Sequence, residues 1–228
     1  MKITLRFALV RSICFFCILV LLTACSTGSV LTAKIYENKE WIVRLQSVSG
    51  ANRNKGYSHP SSVTQQQLVR VLEGLYIESG YFPAAASQNN NSNSSSRHPV
   101  FSNVDAELLA IFLADGLSQA SSREIVTFVK TTDISSSLEQ ITSGGVYVAD
   151  DELHIVLSNY RVKQAIWQDL DAYEPPAYLR PMNPLSTQPG HFGFSRPNLA
   201  REVASSESDF KGNWSGVSWH LAVRFKAF

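Results

Sequence analysis

Residues 146–157 read Val-Tyr-Val-Ala-Asp-Asp-Glu-Leu-His-Ile-Val-Leu, and this stretch decides the fold. Two runs of strand-forming residues, Val146–Ala149 and Leu153–Leu157, flank the polar corner Asp150-Asp151-Glu152. A corner that short joins neighbouring strands as a tight hairpin, so the pair must be antiparallel. Upstream, Ile125–Val129 is an unbroken apolar run between Arg123-Glu124 and Lys130, the pattern of a strand covered on both faces. Downstream, Val217–Phe228 alternates Trp219, Leu221, Val223 and Phe225 with His220, Ala222, Arg224 and Lys226, the clearest strand pattern in the chain. Trp41, Val43 and Leu45 alternate in the same way with Ile42, Arg44 and Gln46. Period two in these segments predicts a sheet with one buried face.

Two helices are written between the strands. Thr64 with Gln67 three residues on is a capping box, in which the threonine hydroxyl accepts from a free backbone N–H and the glutamine reaches back. Leu68, Val71, Leu72 and Leu75 follow at helical spacing and make one apolar stripe. Tyr76 and Ile77 either end this helix or begin a strand. The second helix opens at Ser102 with Asp105 in its first turn. It carries Leu108, Leu109, Ile111, Phe112, Leu113 and Leu117, an arc wide enough to predict burial between the sheet and another element. His-Pro precedes each helix, at His59-Pro60 and His98-Pro99, a weak hint of a repeated helix-then-strand unit.

The remaining segments are read as connections. Residues 84–97 hold alanine, serine, asparagine and glutamine with nothing to bury, and predict a disordered insert. From Tyr173 to Pro197 prolines recur too often for regular structure and predict a long, semi-rigid loop. Residues 25–40 read as a tether ahead of a single domain at 41–228. The fold class is therefore α+β, a mainly antiparallel sheet with two helices packed on one face.

The beginning of the chain has a different grammar. Lys2, Arg6 and Arg11 precede the apolar run Ile13–Leu22, with no acid among the first eleven residues. The run has about ten residues, against the roughly 20 that a helix needs to cross a bilayer, so residues 1–24 read as a signal peptide. The run ends in Leu22-Thr23-Ala24-Cys25, which resembles the lipobox of bacterial lipoproteins: a branched apolar residue, two small ones, then cysteine. The resemblance implies lipid transfer to the Cys25 thiol, cleavage after Ala24 and acylation of the new amino terminus. The competing reading is an ordinary secretory signal that leaves Cys25 as a plain thiol. Multiple acyl chains give stable attachment without a span. By resemblance to Gram-negative lipoproteins, Ser26 in place of aspartate implies passage to the outer membrane, facing the periplasm. The layout of the rest loosely resembles small outer-membrane lipoproteins of those bacteria, a likeness that imports no activity.

The chain has 228 residues, three cysteines and a formal net charge of +1. Cys14 and Cys17 fall in the segment to be removed and Cys25 under lipid, so no disulfide is expected in the domain. Removal of Lys2, Arg6 and Arg11 would leave a weakly negative protein, which argues against nucleic acid as a partner. The final residues do not suit a membrane barrel, because alternate positions counted back from Phe228 give Lys226 and Arg224, charges that a lipid-facing row does not tolerate.

The search for chemistry ends without a catalytic, cofactor or metal assignment. The five histidines form no ligand motif, and His154 and His220 are expected to be half-exposed sheet residues. His59 and His98 are expected to make local hydrogen bonds at helix entries. The acidic groups Asp150-Asp151-Glu152 and Asp169, Asp171, Glu174 lack the glycine and distant glutamate of a calcium loop. Gly212-Asn213-Trp214-Ser215-Gly216 misplaces its serine for a hydrolase elbow, and Gly144-Gly145 reads as a turn. Trp167, Tyr173, Tyr178, Phe192, Phe194 and Trp214 either cap the sheet as core or line a groove. The expected function is a lipid-anchored, non-enzymatic envelope accessory that binds a protein or an envelope polymer. The alternative is a glycan or cell-wall hydrolase with carboxylates near the aromatic loop.

Overall fold

The computed structural model describes residues 30–48, 56–79, 96–166, 180–186, 189–204 and 219–228. Cys25 and the lipobox, residues 84–95 of the polar insert, the acids at 169, 171 and 174, and Trp167, Tyr173, Tyr178 and Trp214 lie outside them.

A seven-stranded antiparallel sheet forms the body. In chain order its strands are β1 (Val30–Glu37), β2 (Trp41–Ser47), β5 (Glu124–Ser135), β6 (Leu138–Ala149), β7 (Glu152–Ala165), β9 (Ala200–Glu202) and β10 (Trp219–Val223). They lie in the order β1-β2-β5-β6-β7-β10-β9. Helices α1 (Gln65–Gly74) and α2 (Asn103–Gln119) cover one face. A second sheet, β4-β3-β8, joins β3 (Leu75–Ser79) to β4 (Ser96–Pro99) and β8 (His191–Phe194). The architecture is α+β, mainly antiparallel, as the sequence predicts.

Alternation in the strands builds the main core. Trp41, Val43 and Leu45 of β2, Val126 and Phe128 of β5, Val146 and Val148 of β6, and Leu153, Ile155 and Leu157 of β7 all point at the helices and are buried. Both helix starts carry the expected caps. Thr64 accepts from the Gln67 backbone while the Gln67 side chain accepts from Thr64 N–H, and Ser102 Oγ accepts from Asp105 N–H. The Lys130 ammonium reaches from β5 to the Asp105 carboxylate, fixing the start of α2 on the sheet.

Several expectations need correction. The tether does not extend to residue 40, because Val30–Glu37 forms the edge strand β1 along β2. Ile35 and Tyr36 give it apolar side chains that pack on the core, and Tyr36 stacks on Phe112 of α2 at 3.8 Å. Of the two readings left open for Tyr76 and Ile77 the strand holds: they belong to β3, which follows α1 without a connecting loop. Ser96 and Arg97, placed in the polar insert, pair with β3 as part of β4. The proline-rich stretch contains a strand, because His191–Phe194 is free of proline and pairs with β3, at the edge of the second sheet among the described residues. The last strand stops at Val223, where its ladder with β7 ends, and the chain turns so that Phe225 is buried beside α1. Helix α2 buries Leu109, Leu113 and Leu117, but Ile111 is 47 % exposed, so its wide apolar arc is covered on the sheet and α1 sides only.

Gly144-Gly145 is also corrected from turn to strand, inside β6. The reason is close approach: a Cβ on Gly144 would stand 2.1 Å from the carbonyl oxygen of Val156, and one on Gly145 2.7 Å from Met182 Sδ. Among the described residues no helix is long and apolar enough to cross a membrane.

Candidate functional site on the polar face of the sheet

The hairpin sets the register of the face opposite the helices. Asp150 and Asp151 occupy the loop with φ of 48° and 68°, the left-handed pair that a two-residue turn matching strand twist requires. Ala149 therefore faces Glu152, and two residues further in Tyr147 faces His154. These two stack, with ring centroids 4.6 Å apart and planes 11° from parallel. Across β10, Ala222 pairs with His154, which brings the neighbouring His220 onto the same face. His220 Nε2 lies 3.0 Å from His154 Nδ1 and 3.3 Å from the Tyr147 hydroxyl.

This face is not open to water. Residues 56–61 and 180–186 lie across it, each held by buried polar side chains. His59 spans two strands: its Nε2 accepts from the Val148 N–H at 2.9 Å, and its Nδ1 lies 2.9 Å from the Glu124 carbonyl. The first contact needs a bare nitrogen, so the ring is neutral with its proton on Nδ1, donated to Glu124. Ser58 N–H donates to the Val148 carbonyl and Tyr57 N–H to the Ser122 carbonyl, so this segment extends the ladder beyond the start of β5. Tyr57 packs on Tyr147 with centroids 4.5 Å apart.

The second clasp depends on irregular pairing between β6 and β7. The register steps from Ile141–Val162 to Ser143–Asn159 and then to Gly144–Leu157, so β7 carries extra residues there, and Arg161 has φ of 51°. A bulge re-aims side chains that strict alternation would send to opposite faces. Ser158 and the adjacent Asn159 consequently both reach residues 180–186. Ser143 Oγ donates to the Pro181 carbonyl at 2.7 Å, Ser158 Oγ to Met182 at 3.0 Å, and Asn159 Nδ2 to Asn183 at 2.8 Å. Leu185 N–H donates back to Asn159 Oδ1 at 2.8 Å. Met182 is thereby driven into an apolar nest of Ile125, Tyr147 and Val156.

Burial sets the electrostatics. Loss of hydration disfavours the charged form of His220, the neighbouring His154 and Arg201 act in the same direction, and its pKa falls to about 3. Burial also pulls His59 below the usual histidine range, against backbone acceptors at Glu124 and Ser121 that favour its charged form. At the rim, burial pushes the Glu124 carboxyl up, but hydrogen bonds from the Thr32 hydroxyl and Ser121 outweigh it and hold the group below its ordinary value. Burial thus favours the neutral form of both His59 and His220. Among the described residues no group of three or more His, Cys, Asp or Glu is arranged to hold a metal ion.

His154 and His220, expected to be half-exposed, are each only 7 % exposed, because the second face is covered. His59, expected to bond locally, instead bridges β5 and β6, while His98 makes its bond to nearby Ser96 Oγ at 2.9 Å. Asp150-Asp151-Glu152 forms the polar hairpin corner, with Asp151 paired to Lys226 and Glu152 to Arg201. Phe192 and Phe194 are core residues, Phe192 beside Trp219 and Phe194 edge-on to Phe228. The signal for the histidine cluster is present in the sequence, since alternation puts residues 147, 154 and 220 opposite the aliphatic face.

Fold and site define a small α+β domain whose sheet is buried on both sides at its centre, with apolar packing under the helices and hydrogen-bonded clasps on the other face. No family model, curated protein or solved structure matches the chain.

Proposed function

We propose that the chain is a lipid-anchored accessory protein of a bacterial envelope, acylated on Cys25, whose domain binds a protein partner or an envelope polymer without catalysing a reaction. The observation that carries this reading is the order of cationic residues, apolar run and Leu22-Thr23-Ala24-Cys25 shortly ahead of a folded domain. The non-enzymatic part draws support from the polar face of the sheet. There the groups that catalysis uses are committed to the fold: His59 to Val148 and Glu124, Ser143 and Ser158 to the carbonyls of Pro181 and Met182, and Asn159 to Asn183 and Leu185. The glycan-hydrolase alternative places aromatics beside carboxylates in a cleft, whereas Phe192 and Phe194 are spent in the core. Ser26 after the cysteine supports the outer membrane, on its periplasmic side.

The test is capture from detergent-solubilised envelopes with the full chain as bait, together with binding to peptidoglycan and lipopolysaccharide. Specific retention of one protein or one polymer is expected. Retention of none, or glycan cleavage by the purified protein, overturns the reading.

A further inference from the structure

The start of β1 and the length of chain before it determine which way an anchored domain faces. Only residues 26–29 separate Cys25 from Val30. Five Cα steps span at most about 18 Å when fully extended, so a lipid on Cys25 keeps Val30 within that distance of the bilayer surface. Val30 pairs with Ser47 and Ser47 with Glu124, which puts these three side by side at one end of the sheet. The β6–β7 corner at Asp150-Asp151 lies at the same end, because Val126 pairs with Val146 and Lys226 reaches Asp151. Helix α2 also finishes there, with Arg123 close behind it.

The opposite end is an arm. β2 stops opposite Lys130, while β5 continues to Ser135, paired with β6 and through it with β7. Residues 132–137 are all exposed. From Glu124 to Ser135 the strand rises about 35 Å at roughly 3.3 Å per residue. A domain lying on its side would instead set α2 on the lipid, where Val104 and Ile111 are exposed. That helix carries Asp105, Glu107 and Asp115 and no lysine or arginine, the reverse of the cationic face that interfacial helices present to anionic headgroups. The Val30 end instead exposes Arg123, Arg224 and Lys226 beside Asp150 and Asp151, the last paired with Lys226, so it offers headgroups cations as well as carboxylates where α2 offers carboxylates alone.

We propose, on the basis of the Cys25 anchor, that the sheet end holding Val30, Arg123, the Asp150-Asp151 corner and Lys226 rests on anionic phospholipid headgroups, with the β5–β6–β7 arm directed away from the bilayer. The arm is then the part of the domain that meets whatever lies beyond the membrane surface.

The full-length lipidated protein, reconstituted in phosphatidylcholine–phosphatidylglycerol vesicles, tests this. A thiol-reactive fluorophore is attached through Gln119→Cys at the proposed lipid end or through Ser136→Cys at the arm tip, and quenched by a spin-labelled headgroup lipid. With roughly 35 Å between the ends, the label at 119 should lose at least about half its emission and the one at 136 less than about a tenth. Inserting a flexible segment of about twelve residues between Ser29 and Val30 should bring the two values together, since it relaxes the short reach. Equal or reversed quenching by protein that floats with the vesicles overturns the orientation and leaves the anchor standing. Protein that does not float overturns the anchor, and this proposal with it.

Discussion

His59 shows how one side chain ties two parts of the chain together. Its bare Nε2 accepts from Val148 N–H, and protonation there would set a donor against a donor. His220 is under the same constraint, through burial beside His154. Both histidines are held below their ordinary value, so the unfolded chain binds more protons than the folded one as the pH falls. Their contribution is complete above about pH 6.5, and for His220 it is lost progressively down to about 3. Denaturation at a series of pH values should show stability falling between pH 7 and 5, by at most about 1.4 kcal/mol per pH unit for each titrating group. Stability that is level or rising on acidification over that range would contradict the geometry. The carboxylates Asp105 and Glu124, held low, contribute loss in the same direction but only around and below the ordinary carboxylate range.

Gly144 and Gly145 make a second test at this scale. Alanine at 144 meets a backbone carbonyl that cannot move without breaking the β6–β7 ladder, whereas alanine at 145 meets the flexible thioether of Met182. Gly144→Ala should destabilise by about 3 kcal/mol or prevent folding, and Gly145→Ala by about 1 kcal/mol. Equal effects in urea denaturation would contradict the close approach of the Val156 carbonyl to Gly144.

At the scale of elements, the boundary between legible and illegible follows the range of the interaction. Thr64 with Gln67 and Ser102 with Asp105 are contacts three residues long, and both helix starts are readable. The Asp150-Asp151 corner fixes its own register, and from it the pairing of Tyr147 with His154 follows by counting. β1, β4 and β8 have weak patterns of their own and exist because a longer neighbour offers an edge, which no local window contains. The burial of His154 and His220 was hidden for a related reason. Alternation names the residues on the second face, but only the clasp segments at 56–61 and 180–186 decide that it is dry. The reading of the segment around Cys25 as an export and lipidation signal rests on order along the chain and stands apart from this geometry.

Two predictions belong to elements. Asn159→Ala removes the acceptor of Leu185 N–H and the donor to Asn183, breaking two part-buried hydrogen bonds made by a buried side chain. It should cost about 1–3 kcal/mol and speed amide exchange at Leu185 while sparing β2. Exchange at Leu185 that stays as slow as before would remove the clasp from the account. On α2, Leu109 is fully buried and Ile111 nearly half exposed. Leu109→Ala should lose about 2–5 kcal/mol, while Ile111→Ala stays within about 0.5 kcal/mol. Comparable losses in thermal denaturation would mean that the outer side of the helix is covered.

For the whole molecule, the short reach from Cys25 to β1 fits the proposal that a packed body is held near a bilayer by lipid on Cys25; among the described residues no helix is long and apolar enough to cross a membrane. The most direct measurement is fractionation and amino-terminal mass of the full chain beside Cys25→Ser, expressed in a Gram-negative host. The account predicts an acylated terminus at Cys25 in the membrane fraction, and for the serine variant an unacylated protein that leaves that fraction. A wild-type mature terminus without acyl chains, or a serine variant that is still cleaved and still fractionates with membrane, would contradict it.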